Sequence, residues 1–158
     1  MSVLSAASQT QVEETLVKDG IISQADLDEI RASAERDKLP VFSQLVTSGK
    51  VTNEQLTKAI AIVTKVPYVN LTTARVDPKV LDLLPQDVAE RYMAVPLGEM
   101  QHRLVVAMLD ADNVQAVDFL SNKVGRALKV YAASEEGIRT VLRQYTANIS
   151  GRALDEIS

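Results

Sequence analysis

Several reactive side chains are absent from this sequence or rare in it. It contains no cysteine, no tryptophan and only one histidine, His102. These absences exclude disulfide scaffolds, thiolate metal sites, cysteine nucleophiles and a histidine-rich metal centre. A Ser-His-Asp triad would have to be built on His102 alone. We therefore expect no metal site, and we assign no catalytic reaction to any residue of this chain.

Positive charge and long apolar runs are also scarce. Lysine and arginine total 17 against 21 acidic residues, and the pI is near 5.0. This charge balance disfavours a nucleic-acid-binding surface, because neutralising phosphates requires an excess of cations. The longest apolar runs fall far short of the ~20 residues of a membrane-spanning helix. Residues 1–11 lack the charge and apolar core of a secretory signal. We expect a cytoplasmic chain that binds a protein or a small ligand and does not insert into the membrane.

The first 65 residues carry a repeated helical pattern with an offset of 29 residues. Each repeat has an apolar segment ending in glycine, then a buried aliphatic residue, a capping hydroxyl and a second amphipathic segment. Ser23 and Thr52 are the predicted caps. The matched positions are Leu16, Gly20, Ile22 and Leu27 in the first repeat and Leu45, Gly49, Val51 and Leu56 in the second. The pattern predicts a helical subdomain over 8–65, with two helix pairs packed into a small bundle.

The rest of the chain changes from helical to mixed character. Residues 66–76 are interpreted as a connector, 77–148 as a small α/β domain and 149–158 as a linker tail. Strands are predicted over 93–97, 103–109 and 128–132, because these segments are apolar or alternate in polarity. Helices separate or follow them, so the order is β-β-α-β-α, with a hairpin through 98–102 and a crossover helix if the last two strands are parallel. The predicted fold class is α+β: a four-helix repeat followed by a small three-stranded α/β sandwich.

A few charged residues allow a chemical or a structural interpretation. Asp110 and Asp112 could form a metal or acid–base pair, but we interpret them as helix-capping residues, with Asp112 or Asn113 as the cap. His102 is interpreted as an exposed turn residue. The alternative is a basic contact patch that joins it to four cations, Arg91, Arg103, Lys123 and Arg126.

Three stretches, 77–85, 89–97 and 103–110, together resemble a known family. Their succession of Leu-Pro, Arg-Tyr, Val-Pro-Leu and Leu-Val-Val-Ala-Met is similar to the amino-terminal domain of the ATPases that drive type II secretion and type IV pilus assembly. The preceding repeat is similar to the helical segment found ahead of that domain, so the resemblance covers about residues 9–147. It implies a non-catalytic docking and regulatory region of a hexameric motor. It also implies that the region lies at the inner membrane through partners, the cytoplasmic domains of platform proteins.

A phosphate-binding loop is not found in the sequence. The nearest string, Gly49-Lys50-Val51-Thr52, lacks the hydroxyl directly after lysine, and Gln44 occupies the position of the first glycine. We therefore expect that this chain does not hydrolyse ATP and that, by the resemblance, ATP binds in a downstream motor domain.

In some members of that family the helical repeat binds cyclic di-GMP, through motifs that open with Arg-Leu-Gly and close with glutamine. The opening positions here are Gln11-Val12-Glu13 and Pro40-Val41-Phe42, and the closing positions are Ala34 and Val63. The eight matched aliphatic and glycine positions of the repeat resemble those of the binding relatives, and by that resemblance they are the candidate ligand-binding positions. Both arginines and both glutamines, however, are replaced. On this basis we expect no cofactor and no cyclic di-GMP binding; the alternative is a nucleotide sensor that regulates the motor.

Overall fold

The computed structural model describes residues 5–157, and the side chains of residues 5–146. The chain divides between Lys65 and Val66 into two compact units. We call residues 5–65 the helical unit and residues 66–157 the α/β unit.

The helical unit consists of four helices: α1 (Ala6–Lys18), α2 (Gln24–Asp37), α3 (Val41–Thr47) and α4 (Asn53–Thr64). Ser23 caps α2, because its hydroxyl accepts a hydrogen bond from the Asp26 N–H at 3.1 Å. Thr52 caps α4 through a reciprocal pair of bonds with Gln55. The four predicted helices and both predicted caps are therefore confirmed.

The helices of the two repeats pack against each other crosswise. α1 packs mainly on α4, and α2 packs mainly on α3. The first helix of each repeat therefore covers the apolar stripe of the other repeat's second helix, and neither repeat could bury its stripe alone. The core is formed by Val12, Leu16, Ile22, Leu27, Ile30, Leu45, Val51, Leu56 and Ala59.

The α/β unit contains α5 (Pro78–Leu81), α6 (Gln86–Tyr92), β1 (Ala94–Met100), β2 (Arg103–Met108), α7 (Val114–Val124), β3 (Leu128–Ala132) and α8 (Glu135–Ile157). The sheet order is β1-β2-β3, with β1 antiparallel and β3 parallel to β2. The predicted β-β-α-β-α order is confirmed, with α7 as the crossover helix. Helix α8 continues to Ile157, across most of the segment interpreted as a linker tail, whereas Ser158 lies outside the described residues.

The β1–β2 hairpin closes through only two residues, Gln101 and His102. Both have positive φ, 51° and 68°, as expected for a turn whose twist matches that of the flanking strands. Because the turn is this short, β1 extends three residues beyond the predicted end at residue 97. His102 is exposed at the tip, as predicted.

The segment 66–76, interpreted as a connector, packs as part of the α/β unit. The Ala132 N–H donates to the Pro67 carbonyl at 2.7 Å, and the Val69 N–H donates to the Ala132 carbonyl at 2.9 Å. Leu71 and Val76 are buried in the core of this unit. The sequence did not show this because the pairing joins residues more than sixty positions apart.

Two polar side chains of helix α8 bond to this segment and to the loop after α5. Gln144 donates to the Ala74 carbonyl and accepts from the Val76 N–H. The Tyr145 hydroxyl donates to the Leu84 carbonyl at 2.8 Å. Burial raises the pKa of Tyr145, so the phenol stays protonated and keeps donating over the physiological range.

Candidate functional site

The two loops inside the helical repeat, residues 19–23 and 48–52, have closely similar backbone geometry. Gly20 and Gly49 have φ of 74° and 78°, and the N–H of each donates to a carbonyl three residues earlier. This left-handed conformation ends α1 and α3 and turns the chain towards the next capped helix. The two loops are therefore structurally equivalent in the two repeats.

The eight predicted site positions fall into two groups in the structure. The six aliphatic residues are buried in the core of the helical unit. Gly20 and Gly49 are exposed, and a Cβ built on either would meet nothing within 4 Å. The aliphatic residues therefore form part of the packed core of the helical unit, and of the eight positions only the two glycines lie at the surface.

Replacing Gly49 by alanine should lower the free energy of unfolding by about 1 kcal/mol, because a Cβ strains the left-handed backbone even where space is free. Urea denaturation followed by circular dichroism measures the change. Gly98 of β1 has no positive φ and no close neighbour, so Gly98→Ala is the matched control. Equal stability of Gly49→Ala and the unmodified chain would contradict the assigned conformation.

Sequence reasoning missed a half-buried ion pair between α1 and α2. Arg31 Nε donates to Glu13 Oε1 at 3.0 Å, and Glu13 is almost fully buried. The hydrogen bond that Arg31 donates to the Glu13 carboxylate is the main cause of a raised pKa of Arg31. In the 29-residue repeat, Glu13 corresponds to Phe42 and Arg31 corresponds to Ile60. Both Phe42 and Ile60 pack against the core. This paired replacement of two apolar residues by opposite charges was the signal in the sequence.

Other positions correspond to the opening and closing residues of the family's cyclic di-GMP motifs. Apart from Glu13, they are apolar or uncharged in this chain. Val12 and Ala34 are buried, whereas Phe42 and Val63 are half-buried at the core margin. Gln11 and Pro40 are exposed. Any cation that meets an anionic ligand on this unit must therefore come from other positions.

In the α/β unit Asp110 has a structural role beside the cap of α7. Asn113 caps α7 by accepting from the Ala116 N–H at 3.1 Å, and Asp110 accepts from the Asn113 side-chain amide at 3.1 Å. Of the two predicted caps, Asp112 or Asn113, the structure has Asn113. Within the described residues, no three His, Cys, Asp or Glu side chains form a cluster that could hold a metal ion. Of the basic contact patch considered as an alternative for His102, Arg126 is paired with Glu99 at 2.7 Å.

An open groove between α6 and α8, of about 420 Å³, was also not predicted. It is lined by Glu90, Met93, Arg139, Leu142, Arg143 and Thr146. Arg139 is paired with Glu135 one turn earlier on α8. The groove depends on packing between distant segments, so no local motif marks it.

The fold combines four helices that pack crosswise with a β-β-α-β-α unit that follows them in sequence. This combination defines the class of protein to which the chain belongs. The family model of the MshEN domain matches residues 64–151, which is more than half of the chain and most of the α/β unit. The chain therefore belongs to the MshEN domain family.

Two curated relatives are type IV pilus assembly ATPases named PilB. The protein from Myxococcus xanthus is 31% identical over 144 residues, covering 91% of this chain and 25% of the relative. The protein from Thermus thermophilus is 39% identical over 74 residues, covering 47% of this chain and 8% of the relative. The chain thus spans a quarter or less of these proteins and is homologous to the amino-terminal region of such ATPases. The resemblance noted from the sequence is confirmed.

Two solved structures share the fold. A structure of MshE with cyclic di-GMP has a TM-score of 0.66 and 25% identity, covering 85% of this chain and 97% of that chain. The amino-terminal domain of XpsE has a TM-score of 0.61 and 19% identity, covering 90% and 97%. The predicted α+β architecture is confirmed. Within residues 5–157, no helix combines the length and apolar character needed to cross a bilayer.

The expectation that the chain takes no cofactor, and in particular no cyclic di-GMP, is wrong. It is overturned by the structure of MshE with cyclic di-GMP, which shares the fold over most of this chain. The expectation depended on four replaced side chains. Helix packing, the two left-handed glycines and the capped second helices do not depend on those side chains and are present in this chain.

Proposed function

We propose that this chain is a non-catalytic regulatory region of a type IV pilus assembly or type II secretion ATPase, and that its helical unit binds cyclic di-GMP. The supporting observation is the similarity to MshE with cyclic di-GMP, which covers 85% of this chain. The α/β unit makes up less than two thirds of the chain, so the similarity extends well into the helical unit. ATP hydrolysis is assigned to a motor domain of the parent protein.

Side chains of the helical unit fit the chemistry of this ligand. Cyclic di-GMP presents two phosphates and two purine faces, which require cations or N–H donors and apolar surfaces. Phe42 and Val63 are half-buried apolar residues at the core margin, and Lys50 and Lys58 are exposed cations. We assign the bases to the apolar residues and the phosphates to the cations.

Titration of the 158-residue chain with cyclic di-GMP tests the proposal. We expect saturable binding in the micromolar range and an increase in the melting temperature, because a ligand at about 100 times its Kd stabilises the folded state by roughly 2.7 kcal/mol. GMP, which lacks the second nucleotide, is the control and should bind far more weakly. No binding and no change in melting temperature at millimolar cyclic di-GMP would contradict the proposal.

A second proposed role is docking of the motor, as a homohexamer, onto cytoplasmic domains of inner-membrane platform proteins. Exposed apolar side chains on α7 support it. Val114 is 69% exposed, and the Phe119 ring stacks on Tyr92 with centroids 5.0 Å apart while remaining 43% exposed. Exposed aromatic and aliphatic groups of this kind are typical of protein-interaction sites. The proposed location is the cytoplasmic face of the inner membrane.

Binding to purified cytoplasmic domains of platform proteins tests this role. Phe119→Ser should weaken the binding of the platform domains to this chain about tenfold or more, because an aromatic anchor is lost. Met100→Ser is the control, because Met100 is also a large, exposed apolar residue but lies in the hairpin. It should leave the binding of the platform domains unchanged. If the unmodified chain retains none of the platform domains, the docking role is excluded.

A further inference from the structure

The two repeats of the helical unit differ strongly in charge. Residues 5–38 contain eight acidic and four basic residues, whereas residues 39–65 contain one acidic and three basic residues. The acidic residues of the first repeat that lie within the 29-residue match are Glu13, Glu14, Asp19, Asp26, Asp28 and Glu29; their counterparts are Phe42, Ser43, Ser48, Gln55, Thr57 and Lys58. Each of these acidic positions is therefore neutral or basic in the second repeat.

Two of the four cations of the first repeat, Arg31 and Arg36, lie close to carboxylates of the same repeat. Arg31 donates to Glu13 at 3.0 Å and lies 3.8 Å from Asp28. Arg36 lies 3.9 Å from Asp37. The carboxylates Glu14 and Glu29 add negative charge near the same helices. A dianionic ligand would meet net repulsion on this half.

The second repeat presents the opposite surface. Lys50 precedes the cap of α4, Lys58 lies on α4 and Lys65 ends it in a left-handed conformation. All three are exposed. Glu54 is the single acidic residue of this repeat. The half-buried Phe42 stands where the first repeat has the carboxylate of Glu13, so a purine meets an aromatic ring there instead of a negative charge.

Lys50 also connects the two repeats. Its Nζ lies 3.7 Å from Asp26 Oδ2 on α2, and both side chains are partly exposed, so this ion pair is weak. Lys58 corresponds to Glu29 of the first repeat, a direct reversal of charge at an exposed helical position. This position gives the clearest comparison between the two halves.

We infer that the helical unit binds cyclic di-GMP asymmetrically: the second repeat (α3 and α4) holds the phosphates through Lys58 and Lys50, and the first repeat contributes no cation. This inference rests on the proposed function and specifies which half of the repeat holds the ligand. A symmetric site, by contrast, would draw equally on both repeats.

Calorimetric titration of the 158-residue chain and three variants with cyclic di-GMP tests the inference. Lys58→Gln should weaken binding about tenfold, a loss equivalent to one charge-assisted contact. Lys18→Gln, the same charge change on the exposed end of α1, is the matched control and should stay within twofold. Glu29→Lys, which places a cation at the equivalent position of the first repeat, should strengthen binding severalfold.

The outcomes separate the inference from the proposed function. If the unmodified chain does not bind cyclic di-GMP, both fail. If it binds and Lys58→Gln behaves like Lys18→Gln, the asymmetric site is excluded while the proposed function stands. Equal melting temperatures of the variants without ligand show that the fold is retained, as expected for exposed positions. Weaker binding by Lys58→Gln alone supports the inference.

Discussion

Replacing Leu45 by alanine should lower the free energy of unfolding by about 3 kcal/mol, the usual cost of removing a large aliphatic side chain from a packed core. Leu45 is 0% exposed and lies in α3, which packs mainly on α2. Loss of one methine and two methyl groups would leave a cavity where the two repeats meet. Urea denaturation monitored at the helical circular dichroism band measures the change in stability.

Leu39 provides the control for this experiment. It has the same side chain in the same unit but is 49% exposed, so Leu39→Ala should change stability by no more than about 0.5 kcal/mol. A loss below about 1 kcal/mol for Leu45→Ala would mean that the repeat positions do not form a packed core. They would then be available to a ligand, contrary to their placement in the structure.

Replacing Gly137 by valine should lower the free energy of unfolding by about 3 kcal/mol through overpacking. Gly137 is buried in the first turn of α8, and its N–H donates to Ser134 Oγ at 2.9 Å. A Cβ at this position would lie 3.0 Å from Leu71 Cβ and 3.2 Å from Ser134 Oγ. The added branch of valine cannot be accommodated unless α8 moves away from the segment that contains Leu71.

The same substitution at Gly98 is the matched control. Gly98 lies in β1, and a Cβ there meets nothing within 4 Å, while valine favours strands. We expect Gly98→Val to keep the stability of the unmodified chain. If Gly137→Val were equally stable by chemical denaturation, the packing of residues 66–76 against α8 would be contradicted.

The local elements of the fold could be predicted from the sequence because their signals are local. Ser23 and Thr52 precede helical apolar stripes, and Gly20 and Gly49 mark the ends of the preceding helices. The pairing of Pro67 and Val69 with Ala132 could not be predicted. It uses backbone groups alone, so the side chains of residues 66–71 carry no pattern that reveals it.

The candidate site was harder to predict than the fold. The aliphatic residues that characterise the repeat proved to be core. The sequence carries opposite charges at positions 13 and 31, but the contact between Glu13 and Arg31 is seen only in the packed helices. Cyclic di-GMP was set aside because particular motif side chains are replaced. Ligand binding depends on the sum of charges over a surface, and lysines outside the motif contribute to that sum.

Amide hydrogen exchange of the 158-residue chain, with and without saturating cyclic di-GMP, tests most directly whether the helical unit is a nucleotide-binding regulatory unit. A ligand slows exchange where it stabilises structure against opening. We predict slower exchange within the helical unit, strongest over α3 and α4, and no change in β2 and β3. Protection confined to the α/β unit, or identical exchange with and without the nucleotide, would contradict the account.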